Sequence, residues 1–224
     1  MSDYYADRLS AERLKRCYEI ASPRVQQYLE AETDFVLEKI RPSDIVLELG
    51  CGYGRVLARL AKKAHRVVGI DTSLASLQLA RDELRGFSNC YLAAMDAVRL
   101  GFRDKAFDVV ICIQNGISAF FVNQRALIRE SIRVAKSGGI VLFSSYSEKF
   151  WNDRLEWFER QSEAGLLGEI DYERTRDGVI VCKDGFTATT VRPDESLSLT
   201  ADLSAAVRII EVDESSLVCE IVPR

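Results

Sequence analysis

An open, doubly wound α/β sheet is the fold class that this chain predicts. Three observations carry the prediction. Between residues 45 and 146 short apolar runs alternate with amphipathic helical stretches, a glycine-rich turn directly follows the first of those runs, and only Asp213, Glu214 and Ser215 join the last two β-prone runs. The alternation marks βαβ units and a mostly parallel sheet. A three-residue connection is too short for a parallel crossover, so the last two runs must form an antiparallel hairpin.

Residues 1–41 read as a helical cap. Ser22 can cap a helix beginning at Pro23, and Val25, Tyr28, Leu29, Phe35, Val36 and Ile40 recur at helical spacing until Pro42. In the core, residues 42–146, strands are expected at 45–49, 66–70, 90–94, 107–113 and 139–146, with helices near 55–63, 74–85 and 124–135. Gly86 and the Gly138-Gly139 pair stand where the last two helices should end. Beyond residue 147 the alternation stops. Residues 147–205 read as an insertion: an aromatic-rich helical stretch with Phe150, Trp151, Trp157 and Phe158, then three β-prone runs separated by Asp177-Gly178 and Asp184-Gly185, then a helix near 193–203. Asp-Gly pairs favour hairpin turns, so a small antiparallel meander is expected there. Residues 206–224 then close the core with hairpin strands at 206–212 and 216–222, and the whole makes one structural domain.

Composition narrows the function classes. With 47% hydrophobic and 29% charged residues, 13 glycines, 4 prolines and no low-complexity tract, the chain is globular. The net charge is -4 with both signs interleaved, so no basic surface advertises itself to a phosphate backbone and no nucleic-acid partner is expected. No run approaches the ~18 apolar residues that span a bilayer, and the polar start carries no signal-like apolar stretch, so the expected location is cytoplasmic, away from membranes. Six cysteines stand singly beside one histidine, His65, which argues for free buried thiols and against structural zinc. Homo-oligomerisation stays open.

Three motifs carry chemistry. The first is Val46-Leu47-Glu48-Leu49-Gly50-Cys51-Gly52-Tyr53-Gly54-Arg55, a buried strand turning through glycines into a helix. Glycine lets the backbone turn sharply and approach a ligand without Cβ clashes. A dinucleotide fingerprint, GxGxxG, needs glycine where this chain has Arg55, which weakens the reading as a nicotinamide-dependent oxidoreductase. Glu48 beside the loop is a poor neighbour for pyrophosphate and a good one for a cationic ligand. The second motif is Asp71 at the end of VVGID, able to accept hydrogen bonds from both hydroxyls of a ribose, or else to cap the next helix together with Thr72 and Ser73. The third is Met95-Asp96-Ala97 after the third strand, where an acid can accept from an adenine amino group between two apolar neighbours.

ELGCGYG, GID, AMDA and VAKSGGIVLFSS, in this order and spacing, resemble the class I S-adenosylmethionine-dependent methyltransferases over residues 42–146, with that fold's closing hairpin at 206–222. The resemblance implies a Rossmann-like seven-stranded sheet in the order 3-2-1-4-5-7-6 and S-adenosyl-L-methionine as cofactor, leaving as S-adenosyl-L-homocysteine. It implies that the loop at Gly50, Cys51, Gly52 and Gly54 passes under the methionine moiety, with Glu48 beside it. Asp71, with Thr72, would hold the ribose, and Met95, Asp96 and Ala97 would frame the adenine, with Gln114 close by.

After the fourth strand comes Cys112-Ile113-Gln114-Asn115-Gly116-Ile117-Ser118. It departs from the Asn/Asp-Pro-Pro-aromatic motif of enzymes that methylate bases or glutamine, and is loosely similar to the loop of glycine N-methyltransferase-like enzymes. The expected activity is therefore in-line methyl transfer to a nitrogen or oxygen of a small molecule. Asn115, together with Tyr18 or Tyr146, is the candidate for orienting it. Tyr4, Tyr5, Tyr18 and Tyr28 are candidates for a lid, and the insertion is expected to govern substrate choice. A non-catalytic cofactor-binding or regulatory subunit, or a methyltransferase acting on protein or RNA, are the alternatives.

Overall fold

The computed structural model describes Tyr4 and residues 8–224. Among the described residues the N-terminal cap is broken at 20–22. Helix α1 (Ala11–Glu19) ends at Ile20, and α2 (Pro23–Lys39) restarts where the Ser22 hydroxyl accepts from the Val25 N–H at 3.3 Å. The core then alternates as its hydrophobic pattern requires: β1 (Ile45–Leu49), α3 (Arg55–Leu60), β2 (Arg66–Asp71), α4 (Leu74–Glu83), β3 (Cys90–Ala94), β4 (Phe107–Cys112), α5 (Gly116–Ala119), α6 (Gln124–Val134) and β5 (Ala135–Tyr146). The insertion follows with a short 3-10 turn (Glu148–Phe150), α7 (Trp151–Glu163), β6 (Ile180–Val181), β7 (Thr187–Ala188) and α8 (Pro193–Thr200). Strands β8 (Ala205–Val212) and β9 (Ser216–Pro223) end the chain.

Seven strands make one sheet in the order β3-β2-β1-β4-β5-β9-β8, parallel except for β9, which runs antiparallel to both β5 and β8. This is the expected order, with β8 and β9 as the sixth and seventh strands. Side chains alternate across the sheet, and both faces are buried. Val46, Val67, Val109 and Ile111 face a cluster with Val36, Leu57, Leu60 and Leu77, while Leu47, Ile70, Val110 and Phe143 face one with Ile117, Leu127, Ile128 and Val134.

Two glycine readings are corrected. α4 ends at Glu83 with Leu84 as its cap, and Gly86 beyond it does not take the left-handed conformation. α6 gives way to β5 at Ala135, so Gly138 and Gly139 lie inside a strand at a bulge, where the pairing steps from Phe107↔Ala135 to Val109↔Ile140. A Cβ at Gly139 would stand 2.8 Å from the Asp108 carbonyl oxygen, so close backbone contact fixes that glycine.

The meander keeps only its middle. β6 and β7 pair over two residues each, and the other runs make single bridges, Ile170↔Cys182 and Arg176↔Val179. It is nonetheless no satellite. Ile170, Ile180, Cys182 and Phe186 join a third buried cluster with Leu9, Cys17, Val25, Tyr28 and Leu29 of the N-terminal segment and Trp157 and Phe158 of α7. Cap and insertion therefore pack as one layer above the carboxyl ends of the strands.

Candidate functional site

The sheet reverses its winding between β1 and β4, and in open α/β folds ligands bind outside the carboxyl ends of strands at that point. A cavity of about 300 Å³ lies there. The tips of β1 to β5 form its floor, and α1 and α7 form its roof.

Gly50 takes φ +71°, and a Cβ on it would fall 2.4 Å from Cζ of Phe120, so both conformation and space require glycine. The loop is strung across the tip of β2: the N–H groups of Gly50 and Cys51 both donate to the Ile70 carbonyl, at 2.8 and 2.9 Å. Asp71 then clamps it. Its Oδ2 accepts from the Gly52 N–H at 2.9 Å and its Oδ1 from the Ser73 N–H at 2.8 Å, while the Ser73 hydroxyl caps α4 through the Ser76 N–H at 3.2 Å. Asp71 is thus not the helix cap.

Glu48, Gly50, Gly52, Asp71, Thr72, Met95, Asp96, Ala97 and Gln114 all line the cavity. Cys51 and Gly54 do not. Cys51 is buried in the core, and Gly54 lets α3 start against Leu84, whose Cδ1 would lie 2.9 Å from a Cβ there. Asp96 is exposed, and its Oδ1 accepts from the Val98 N–H at 3.0 Å. Glu48 is buried, and its Oε2 has no hydrogen-bond partner among the described residues. Desolvation pushes its pKa up to about 8, against a lowering by Arg55 and with a smaller rise from Asp71. His65 precedes β2, at the far end of that strand from the cavity.

The loop after β4 departs most from the sequence reading. Gln114 and Asn115 both have positive φ. Gln114 enters the cavity, where its Oε1 accepts from the Tyr18 hydroxyl at 3.1 Å and its Nε2 is buried without a partner among the described residues. Asn115 does not line the cavity. Its Nδ2 donates to the Thr189 carbonyl at 2.9 Å and its Oδ1 accepts from the Ser145 hydroxyl at 2.8 Å, so its amide ties β5 to the insertion. What holds this turn is Glu32 of α2, fully buried, whose Oε2 accepts from the Gln114 N–H at 2.8 Å and whose Oε1 accepts from the Ser216 hydroxyl. Glu32 was readable as an anomaly, a carboxylate four residues from both Tyr28 and Val36 on the apolar stripe of a helix.

Of the tyrosines expected in the lid, Tyr18 lines the cavity, under the Arg55 guanidinium 4.8 Å from its ring centroid. Burial raises its pKa far above the ordinary phenol value, so it stays neutral. Tyr4 donates to Asp184 of the insertion, Tyr28 lies behind Tyr146, and Tyr5 falls outside the described residues. Tyr146, Trp157 and Phe158 complete the wall. Gln161 on α7 joins them, unanticipated from the sequence. It is 4% exposed, lines the cavity and makes no side-chain hydrogen bond among the described residues.

Residues 46–139 match the family described as methyltransferase domain. They form a class I, S-adenosylmethionine-dependent methyltransferase domain. A malonyl-[acyl-carrier protein] O-methyltransferase of Erwinia pyrifoliae is 36% identical over 165 residues, 71% of this chain and 61% of the relative. The chain spans about half the length of several curated relatives that it matches. Among solved structures, the PH0226 protein of Pyrococcus horikoshii covers all of both chains at TM-score 0.68 and 23% identity. The N-methyltransferase NodS of Bradyrhizobium japonicum, in complex with S-adenosyl-L-homocysteine, covers 99% of this chain and 92% of its own at TM-score 0.55 and 16% identity. The methyltransferase domain's cavity fits that family's cofactor. It offers a carboxylate at the tip of β2, a loop whose glycine a Cβ would block, and an unpartnered buried acid for a cation. Among the described residues no group of three or more His, Cys, Asp or Glu side chains is placed to hold a metal, no helix is long and apolar enough to cross a membrane, and all six cysteines are free.

Proposed function

We propose that this chain is an S-adenosylmethionine-dependent methyltransferase acting on a small molecule. The observation that carries the reading is a single cavity lined both by the cofactor-type residues and by Tyr146, Trp157, Phe158 and Gln161. When bound, S-adenosylmethionine supplies a methyl group on a cationic sulfur that a lone pair of the acceptor displaces in line. The chain's own residues align the partners and exclude water, which such a displacement chiefly needs.

In this reading the Asp71 carboxylate, fixed at the tip of β2 by the Gly52 and Ser73 N–H groups, receives the ribose hydroxyls. Thr72, Met95, Asp96 and Ala97 surround the adenine, the Gly50–Gly52 backbone passes beneath the methionine portion, and ionised Glu48 faces its positive charge. Gln114, held by Glu32, orients the acceptor with neutral Tyr18, while Asn115 acts one step removed, through the loop. A cavity of about 300 Å³ under a two-helix roof suits a small acceptor better than RNA or a folded protein, and the chain's acidic balance points away from nucleic acid and membrane. Methyl-labelled S-adenosylmethionine incubated with the chain and a fractionated metabolite extract should yield a labelled product of low mass. Label appearing only in RNA or protein fractions would contradict the small-molecule reading.

A further inference from the structure

We infer that the methyl acceptor is an uncharged, ring-containing small molecule, apolar apart from a hydroxyl or amino group that the Gln161 amide engages. The inference rests on the methyltransferase reading and specifies the class of substrate for the same cavity.

The charged side chains lining the cavity are Glu48, Asp71 and Asp96, all acids, and no lysine, arginine or histidine lines it among the described residues. Residues 1–3 and 5–7 contain none of these cations either. Arg55, the nearby cation, stacks on Tyr18 and does not line the cavity. A carboxylate or phosphate on the acceptor would therefore lose its water, meet no counter-ion and face a field of its own sign.

The aromatic wall favours a ring. Two of its polar atoms are engaged within the protein: the Trp157 Nε1–H donates to the Cys17 carbonyl at 2.8 Å and the Tyr18 hydroxyl to Gln114, while the Tyr146 ring packs on Tyr28. What these side chains offer a ligand is ring surface. Gln114 offers only its Nε2, which has no partner among the described residues. Gln161 offers a whole amide: it lines the cavity and makes no side-chain hydrogen bond among the described residues, so a neutral hydroxyl or amine can both give and accept a hydrogen bond there.

Ligand-observed NMR titrations on the full chain saturated with S-adenosylhomocysteine test this, using the matched pairs methyl gallate against gallate and tryptophol against indole-acetate. The neutral member of each pair should bind at least about tenfold more tightly than its acid. Gln161→Leu should weaken the neutral members by about fivefold, the loss of one neutral hydrogen bond, with affinity for S-adenosylhomocysteine intact as the control for folding. Acids that bind as tightly as their neutral partners, neutral members that do not bind, or affinity unmoved by Gln161→Leu would each overturn the inference. Failure of wild-type chain to bind S-adenosylhomocysteine would instead overturn the methyltransferase reading on which it stands.

Discussion

Asp71 has two duties in this reading, holding the glycine loop through the Gly52 N–H and receiving the ribose, and a carboxylate is an acceptor with about four lone-pair sites. Asp71→Asn leaves the Ser73 cap of α4 in place but removes the charge and one acceptor, each hydrogen bond to a charged group being worth roughly 1.5–3 kcal/mol. Affinity for S-adenosylhomocysteine should fall more than about tenfold by calorimetry, and the urea midpoint should fall as well, because the amide NH2 leaves one of the Gly52 and Ser73 N–H groups without its acceptor. Equal affinity would move the ribose elsewhere. Glu48 makes a pH-dependent prediction. Burial raises its folded pKa above the unfolded carboxylate value of 4.5, so the folded chain retains a proton that the unfolded chain releases. Its contribution to stability is thus full below about pH 4.5 and is lost as pH climbs through about 8. The empty Glu48→Gln variant should lack that decline in urea midpoint. Binding of the ammonium-bearing S-adenosylhomocysteine near neutral pH should also release a proton, seen as a binding heat that varies with the ionisation heat of the buffer, and the variant should release none.

At the scale of elements, the roof depends on α1 meeting both halves of the molecule. The Ala11 N–H donates to the Ser76 hydroxyl at 3.0 Å, Arg13 donates to the carbonyls of Gly165 and Leu166, and Trp157 reaches Cys17. Trp157→Phe keeps ring surface and deletes that last buried bond. It should cost about 1–3 kcal/mol for the carbonyl left unsatisfied and speed hydrogen exchange in α1, with the sheet unchanged. Phe186→Ala should cost about 3–5 kcal/mol, because Phe186 is 2% exposed within the cluster that joins insertion to cap. A loss under 1 kcal/mol would restore the meander to satellite status. The parallel strands were legible because both their faces are buried and they read as unbroken apolar runs, and the hairpin because three residues allow no crossover. Less legible were elements fixed by distant contacts. Gly139 reads as a helix stop, and only the Asp108 carbonyl reveals a bulge. Asn115 reads as a site residue, and only Thr189 and Ser145, 74 and 30 residues away, show its amide already engaged. The cofactor end is local to strand tips and shows in motifs, whereas Gln161 and Glu32 reach the site through tertiary packing.

At the scale of the whole molecule, the fold places acids where a cationic cofactor should sit and closes them under a layer built from both ends of the core. This cavity should bind S-adenosylmethionine and its product rather than a dinucleotide. Calorimetric titration of the chain with S-adenosylhomocysteine, and separately with NADH, distinguishes the two. One S-adenosylhomocysteine should bind saturably per chain, with no saturable heat from NADH; no binding of S-adenosylhomocysteine at millimolar concentration, or tighter binding of NADH, would overturn the cofactor assignment.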